Sequence, residues 1–143
     1  MSALVAVRAL AKTFVTDDGR HVQALAGVDL DVPARGAVGI VGESGSGKTT
    51  FGRALLRLIE PTAGEVRFQG ADLLALGPRE LRRVRRHMQM VFQDPFGSIN
   101  PRQRVGAMLA EPLVVHGEGD RDARRQAVAD ILAAVGLRPE DAQ

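Results

Sequence analysis

Gly42-Glu43-Ser44-Gly45-Ser46-Gly47-Lys48-Thr49-Thr50 is the most informative segment of this chain. It satisfies the pattern Gly-x-x-x-x-Gly-Lys-(Ser/Thr), the loop that wraps a polyphosphate. Such a ligand needs many backbone N–H donors aimed at one point. Glycines let the chain approach closely and take dihedrals other residues avoid. The loop then enters a helix, whose unpaired N–H groups and dipole favour anions. In this pattern Lys48 brings its charge to the β- and γ-phosphates, and Thr49 offers its hydroxyl to Mg²⁺.

The flanks supply the context the pattern requires. Ala37 to Val41 is apolar and bounded by Gly36 and Gly42, which predicts a strand buried on both faces of a parallel sheet. Phe51, Leu55, Leu58 and Ile59 fall on one face of a predicted helix, Arg53 and Arg57 on the other, with Pro61 as its stop. Upstream, Leu4 to Leu10 and Leu25 to Val32 read as strands, separated by a polar turn at Asp17, Asp18 and Gly19.

Downstream, Gly64 to Gly70 alternates, Val66 and Phe68 against Glu65, Arg67 and Gln69, as a half-exposed antiparallel strand does. A short basic helix is predicted near Pro78 to Arg85, and a second apolar strand from Met88 to Phe92. A loop rich in Pro, Gly and Asn, Asp94 to Pro101, precedes helices near Val105 to His116 and Asp120 to Val135. In the last helix Val128, Ile131, Leu132 and Val135 form the expected buried stripe, with Asp120 as N-cap and Gly136 as C-cap.

The expected fold class is therefore α/β: a P-loop core, an antiparallel β portion and the start of a helical part. Residues 1–70 form the β-rich part with the P-loop. Residues 71–104 hold the basic helix, a strand and a loop, and residues 105–143 begin a helical subdomain.

Bulk properties narrow the class. The chain has 143 residues, 45% hydrophobic and 25% charged, enough for a real core. With no cysteine, disulfides and thiolate metal sites are excluded. Nothing approaches the ~18 apolar residues of a membrane span, and Met1 to Phe14 lacks the pattern of a signal peptide. Net charge is +2. Arg79, Arg82, Arg83, Arg85 and Arg86, opposed by Glu80, sum to +4, so the rest of the chain sums to −2. His21, His87 and His116 are scattered and read as surface or packing residues.

Two stretches resemble a known family. Val41 to Thr50 is similar to the P-loop of ABC ATPases. Met90-Val91-Phe92-Gln93-Asp94-Pro95-Phe96-Gly97-Ser98-Ile99-Asn100-Pro101-Arg102 resembles the Q-loop region of the ATP-binding subunits of oligopeptide, dipeptide and nickel importers. The resemblance implies ATP and Mg²⁺ as ligands. It implies that Gly42, Glu43, Ser44, Gly45, Ser46, Gly47, Lys48, Thr49 and Thr50 bind nucleotide. It makes Phe14 an aromatic platform for adenine, Thr49 a metal ligand, and Gln93 a residue that reaches the metal and the attacking water. It also implies transmembrane permease subunits docked at the Gln93 to Arg102 region and a second ATP-binding subunit. The resulting place is cytoplasmic, peripheral on the inner face of the cell membrane.

The same family continues with a Leu-Ser-Gly-Gly-Gln signature, a Walker B strand ending in Asp, a catalytic Glu and a switch His. None occurs in these 143 residues. Three apolar runs end in an acid, but Ala107 to Glu111 runs into Pro112 and reads as helix. Val28-Asp29 precedes the P-loop, and Val128-Ala129-Asp130 lies within an amphipathic helix. The expectation is a C-terminally truncated form that binds nucleotide and, alone, is catalytically inactive.

Other readings are a different P-loop enzyme, a gene fragment without function, or a nucleic-acid binder using the arginine cluster. About 40 residues precede the loop, and the Asn-Lys-x-Asp of a guanine reader is missing, which weakens the first. No aromatic platform lies in the basic stretch, so no nucleic-acid partner is expected.

Overall fold

The computed structural model describes residues 3–93 and 99–142. The chain forms two compact units, Met1–Met90 and Val91–Gln143, which join inside the stretch expected to link the β-rich and helical parts.

The first unit is built on an antiparallel sheet of order β2-β1-β3-β4, with β1 Ala3–Val15, β2 His21–Pro33, β3 Ala63–Phe68 and β4 Ala71–Asp72. The turn expected at Asp17 to Gly19 closes the first hairpin: Thr16 N–H donates to Arg20 O (2.9 Å), and Gly19 takes a positive φ of 79°. Gln69 and Gly70, both at positive φ, make the two-residue turn between β3 and β4, the conformation whose twist matches flanking strands. Across β1 and β2, Arg8 donates to both oxygens of Asp31 (2.6 and 2.9 Å). That hydrogen bond holds the Asp31 carboxyl below its ordinary range, but the pair is exposed and contributes little stability.

The core lies on one face of this sheet. Val7, Leu10, Leu25, Val66, Phe68 and Leu73 close over Phe51 and Ala54 of helix α1, Lys48–Leu55. Strict alternation along β1 would send Val7 and Leu10 to opposite faces, yet both are fully buried. A bulge reconciles them. The register shifts between Val7 and Leu10, Ala9 turns to a positive φ of 47°, and its N–H donates to Asp29 Oδ1 (2.8 Å). Asp29, an acid at the end of an apolar run, is thus the clasp of the bulge. Gly64 of β3 lies against it: a Cβ there would stand 2.6 Å from both Ala9 O and Leu10 Cα.

Helix α1 ends earlier than the apolar spacing predicts. It closes at Leu56 and Arg57, with Arg57 N–H on Ala54 O and Leu58 N–H on Arg53 O, so Pro61 is not its stop. Arg57 carries the left-handed φ of 50° that glycine usually supplies there. It does not face solvent as expected. Its guanidinium donates to Glu60 Oε1, Leu73 O and Leu76 O (2.8, 2.9 and 2.7 Å), tying the helix end to the segment after β4. Once the helix has closed, Leu58 drops out of the buried stripe and is exposed, while Ala54 is buried.

Helix α2, Pro78–Arg85, has the predicted bounds; Pro78 occupies its first turn, and Glu80 accepts from Gly77 N–H (3.1 Å). On its apolar side Leu81 is buried and Val84 packs against the sheet core.

The two apolar runs predicted as central parallel strands join no ladder among the described residues. Ala37 to Val41, expected to be buried on both faces, is open, with Val41 97% exposed, and in the second run Val91 is 95% exposed. Strand identity belongs to a pair, because each backbone N–H and C=O along it needs a partner on a neighbour. Neither run has that neighbour here.

The second unit contains α3, Val105–Val115, and α4, Arg121–Ala134, followed by a 3₁₀ turn at Pro139–Ala142. Glu111 and Pro112 lie within α3, as the sequence predicts. Asp120 caps α4 through Ala123 N–H (2.9 Å). Gly136, at φ 79°, ends it: Gly136 N–H donates to Ala133 O and Leu137 N–H to Leu132 O. Of the expected stripe Val128 and Leu132 are buried, but Ile131 and Val135 are exposed. Val135 is the C-cap, beyond the last helical residue, and α3 and the 3₁₀ turn pack against α4 on a limited face. Asp120→Ala is expected to lower stability by about 1 kcal/mol, and Asp120→Asn by much less, read as denaturation midpoints.

Candidate functional site

Three local features shape the P-loop. Ser46 N–H donates to Glu43 O (3.2 Å), closing a turn in which Gly45 takes a φ of 81°. Gly47 follows as the N-cap of α1 at φ 91°. Gly42 closes the ring: a Cβ on it would meet Ser46 Oγ at 2.7 Å. Gly47 is also held from outside the loop, since a Cβ there would stand 2.6 Å from Ala24 O of β2. The sheet thereby fixes where α1 begins, through a backbone carbonyl that no side-chain pattern could have announced.

Lys48 is the first residue of α1, and its ammonium reaches back across the loop. Nζ donates to Gly42 O (2.7 Å), Glu43 O (2.6 Å) and Ser46 Oγ (3.2 Å). The Ser46 hydroxyl is therefore an acceptor for the lysine as well as part of the loop. From Gly42 to Ser46 the loop is exposed, as is Thr49, while Gly47, Lys48 and Thr50 are half-buried.

The donor set suits an anion. The first turn of α1 contains no acidic residue, and no side chain caps it. Its leading amides have no partner within the helix, and the positive end of the dipole opens onto the loop. A polyphosphate fits this cradle by the same chemistry that brings Lys48 to loop carbonyls: an ammonium donor, the amides of a helix start and glycines in place of side chains. The Thr49 hydroxyl, exposed on the first turn, has the oxygen chemistry a hard divalent cation takes.

Phe14 stands near the end of β1, 39% exposed, with Lys12 Nζ 5.0 Å from its ring centroid. It pairs across the hairpin with Val22, close in β2 to the Ala24 carbonyl that supports Gly47. Phe14 and the P-loop thus share one hairpin as their support. Gln93 belongs to the second unit and is exposed. Asp94 to Ser98 lie outside the described residues. Ile99 to Arg102 are exposed, and Asn100 folds the chain by accepting from Arg102 N–H on its side chain (3.0 Å) and from Gln103 N–H on its carbonyl (3.0 Å).

The family model described as ABC transporter matches residues 25–143, from inside β2 to the end of the chain. The chain belongs to the ABC transporter family. Among curated proteins, a putative peptide import ATP-binding protein of Brucella ovis is 47% identical over 137 residues, 96% of this chain and 43% of that protein. The glutathione import ATP-binding protein GsiA of Salmonella paratyphi A is 47% identical over 123 residues, 86% of this chain and 20% of GsiA. The chain thus spans less than half the length of these relatives. Among solved structures, a dimeric post-hydrolysis state of the ATP-binding cassette MJ0796, bound to ADP and Pi, superposes with a TM-score of 0.78. It is 26% identical to this chain, covering 96% of it and 60% of the cassette. The α/β fold class expected from the P-loop, with its antiparallel β portion and the beginning of a helical part, is the one found.

Proposed function

We propose that this ABC transporter chain is the nucleotide-holding part of a subunit that powers an importer by binding and hydrolysing ATP. The observation that carries the reading is Lys48, whose ammonium lies across a glycine-turned loop at the uncapped, acid-free start of α1. Gly42 to Thr50 would hold the polyphosphate: the backbone amides of the loop and first turn as donors, Lys48 as the cation, Thr49 as a ligand to Mg²⁺. When bound, Mg²⁺ neutralises charge on the phosphates. Phe14 would offer its exposed ring to adenine, and Gln93 would bring its side-chain amide to the metal and the attacking water.

The relatives' names support peptide import, and the dimeric cassette supports pairing with a second ATP-binding subunit. No described helix is long and apolar enough to cross a membrane. Attachment to transmembrane permease subunits through the Gln93 to Arg102 region would place the chain on the cytoplasmic side of the cell membrane.

Equilibrium ATP titration of Lys48→Ala beside Arg83→Ala tests the site. Loss of a charge-assisted contact is worth about 1.5–3 kcal/mol, so Lys48→Ala should weaken binding on the order of ten- to a hundredfold. Arg83→Ala, on exposed α2, should match the parent protein. Superimposable curves for the two variants would remove the P-loop assignment.

A further inference from the structure

We infer that the outer face of α2 is a docking surface for an anionic lipid bilayer. The inference goes beyond nucleotide binding; the proposed membrane location favours a bilayer as the partner.

The local geometry supports a purely electrostatic contact. Leu81 is buried and Val84 packs on the sheet core, so the apolar side of α2 is already used and cannot insert into lipid. Arg79, Arg82 and Arg83 are exposed, and among the described residues no hydrogen bond or ion pair engages their guanidinium groups. Arg85 is turned inward to Arg57 O (2.7 Å). The single acid of the helix, Glu80, is directed at Gly77 N–H (3.1 Å). Three guanidinium groups therefore project from one short rod. Eight residues span about 12 Å, comparable with the screening length at physiological salt, so the charges act on one surface together.

The distribution of charge supplies orientation. The stretch Arg79 to Arg86 carries +4 in a chain of net +2, leaving the rest net negative. The other charges of the first unit cancel, so an anionic plane would attract that unit by this helix. Basic clusters on a helix are read by anionic lipid in this way. A nucleic acid offers the same charge, but α2 has no aromatic side chain on which bases could stack.

The test is co-sedimentation of the purified chain with vesicles of phosphatidylcholine alone or mixed with phosphatidylglycerol, at low and high salt. The chain should bind only the anionic vesicles, and salt should release it. The triple variant Arg79→Gln, Arg82→Gln, Arg83→Gln should lose affinity on the order of a hundredfold. A charge-matched variant at other exposed arginines, Arg104→Gln, Arg121→Gln, Arg125→Gln, should keep it. Lys48→Ala should also keep it, so failure of the nucleotide site and failure of the lipid surface are read separately. The inference is overturned if the parent chain ignores anionic vesicles or if the two triple variants lose binding equally. It is likewise overturned if single-stranded DNA is retained by the arginine face while vesicles are not.

Discussion

Gly64→Ala is expected to lower the stability of the sheet unit by about 3 kcal/mol or more, among the largest effects of any single methyl group in this chain. Two costs coincide at this position. The φ of 104° lies outside the range alanine accepts comfortably. The added Cβ would also stand 2.6 Å from Ala9 O and Leu10 Cα. Those are backbone atoms of the β1 bulge, pinned by Asp29, so they cannot swing away as a side chain would. Relief would require opening the bulge, and the bulge is what brings Leu10 into the core beside Val7. Gly27→Ala is the control. Gly27 has a similar φ of 84°, but an added methyl would meet nothing within 4 Å, so it bears the dihedral cost alone, roughly 1–2 kcal/mol. Urea denaturation of both variants separates the terms; equal midpoints would show that β1 yields at the bulge.

Phosphate release by the 143-residue chain is expected to stay at the level of Lys48→Ala. ATP turnover depends on positioning and charge stabilisation, and several elements must act together. The chain holds the P-loop and Gln93. The three acids that follow apolar runs are engaged elsewhere in the fold: Asp29 clasps the β1 bulge, Glu111 lies within α3, and Asp130 in α4 accepts from Gln126 (2.8 Å). None ends a strand beside the P-loop. A longer chain that adds Leu-Ser-Gly-Gly-Gln and an acid-ended apolar strand should release phosphate well above that level. The measurement is phosphate release at matched protein concentration, with Lys48→Ala correcting for contaminating ATPases. Fast turnover by residues 1–143, abolished in Lys48→Ala, would mean that the residues present suffice for the chemistry.

Features set by a few consecutive residues were legible in the sequence. The P-loop ring, the Asp120 cap, the Gly136 terminus and the bounds of α2 each follow from dihedral preference or from hydrogen bonds spanning one turn. The helices and the alternating strand of Gly64 to Gly70 followed from periodicity for the same reason, whereas β1 and β2 run well past the expected Leu4 to Leu10 and Leu25 to Val32 because each extends along its partner. Of the candidate site, the glycine-turned loop and the start of α1 at Lys48 were legible, because a tight turn feeding a helix needs those residue types in that order.

Other features depended on partners distant in sequence. Alternation along Leu4 to Leu10 could not show that Ala9 would be extruded, since the bulge needs Asp29 and the bare surface of Gly64. Helical spacing placed Arg57 in solvent, whereas its guanidinium finds carbonyls of Leu73 and Leu76 once β4 has brought them near. The loop, its lysine and the caps follow from local sequence, because their hydrogen bonds close within the segment. Long-range packing set the contact of Gly47 with Ala24 O, the exposure of Leu58 and, among the described residues, the absence of a ladder along Ala37 to Val41. Each of those depends on which backbone or side chain from another element stands opposite, and a short-range pattern contains no record of its neighbour.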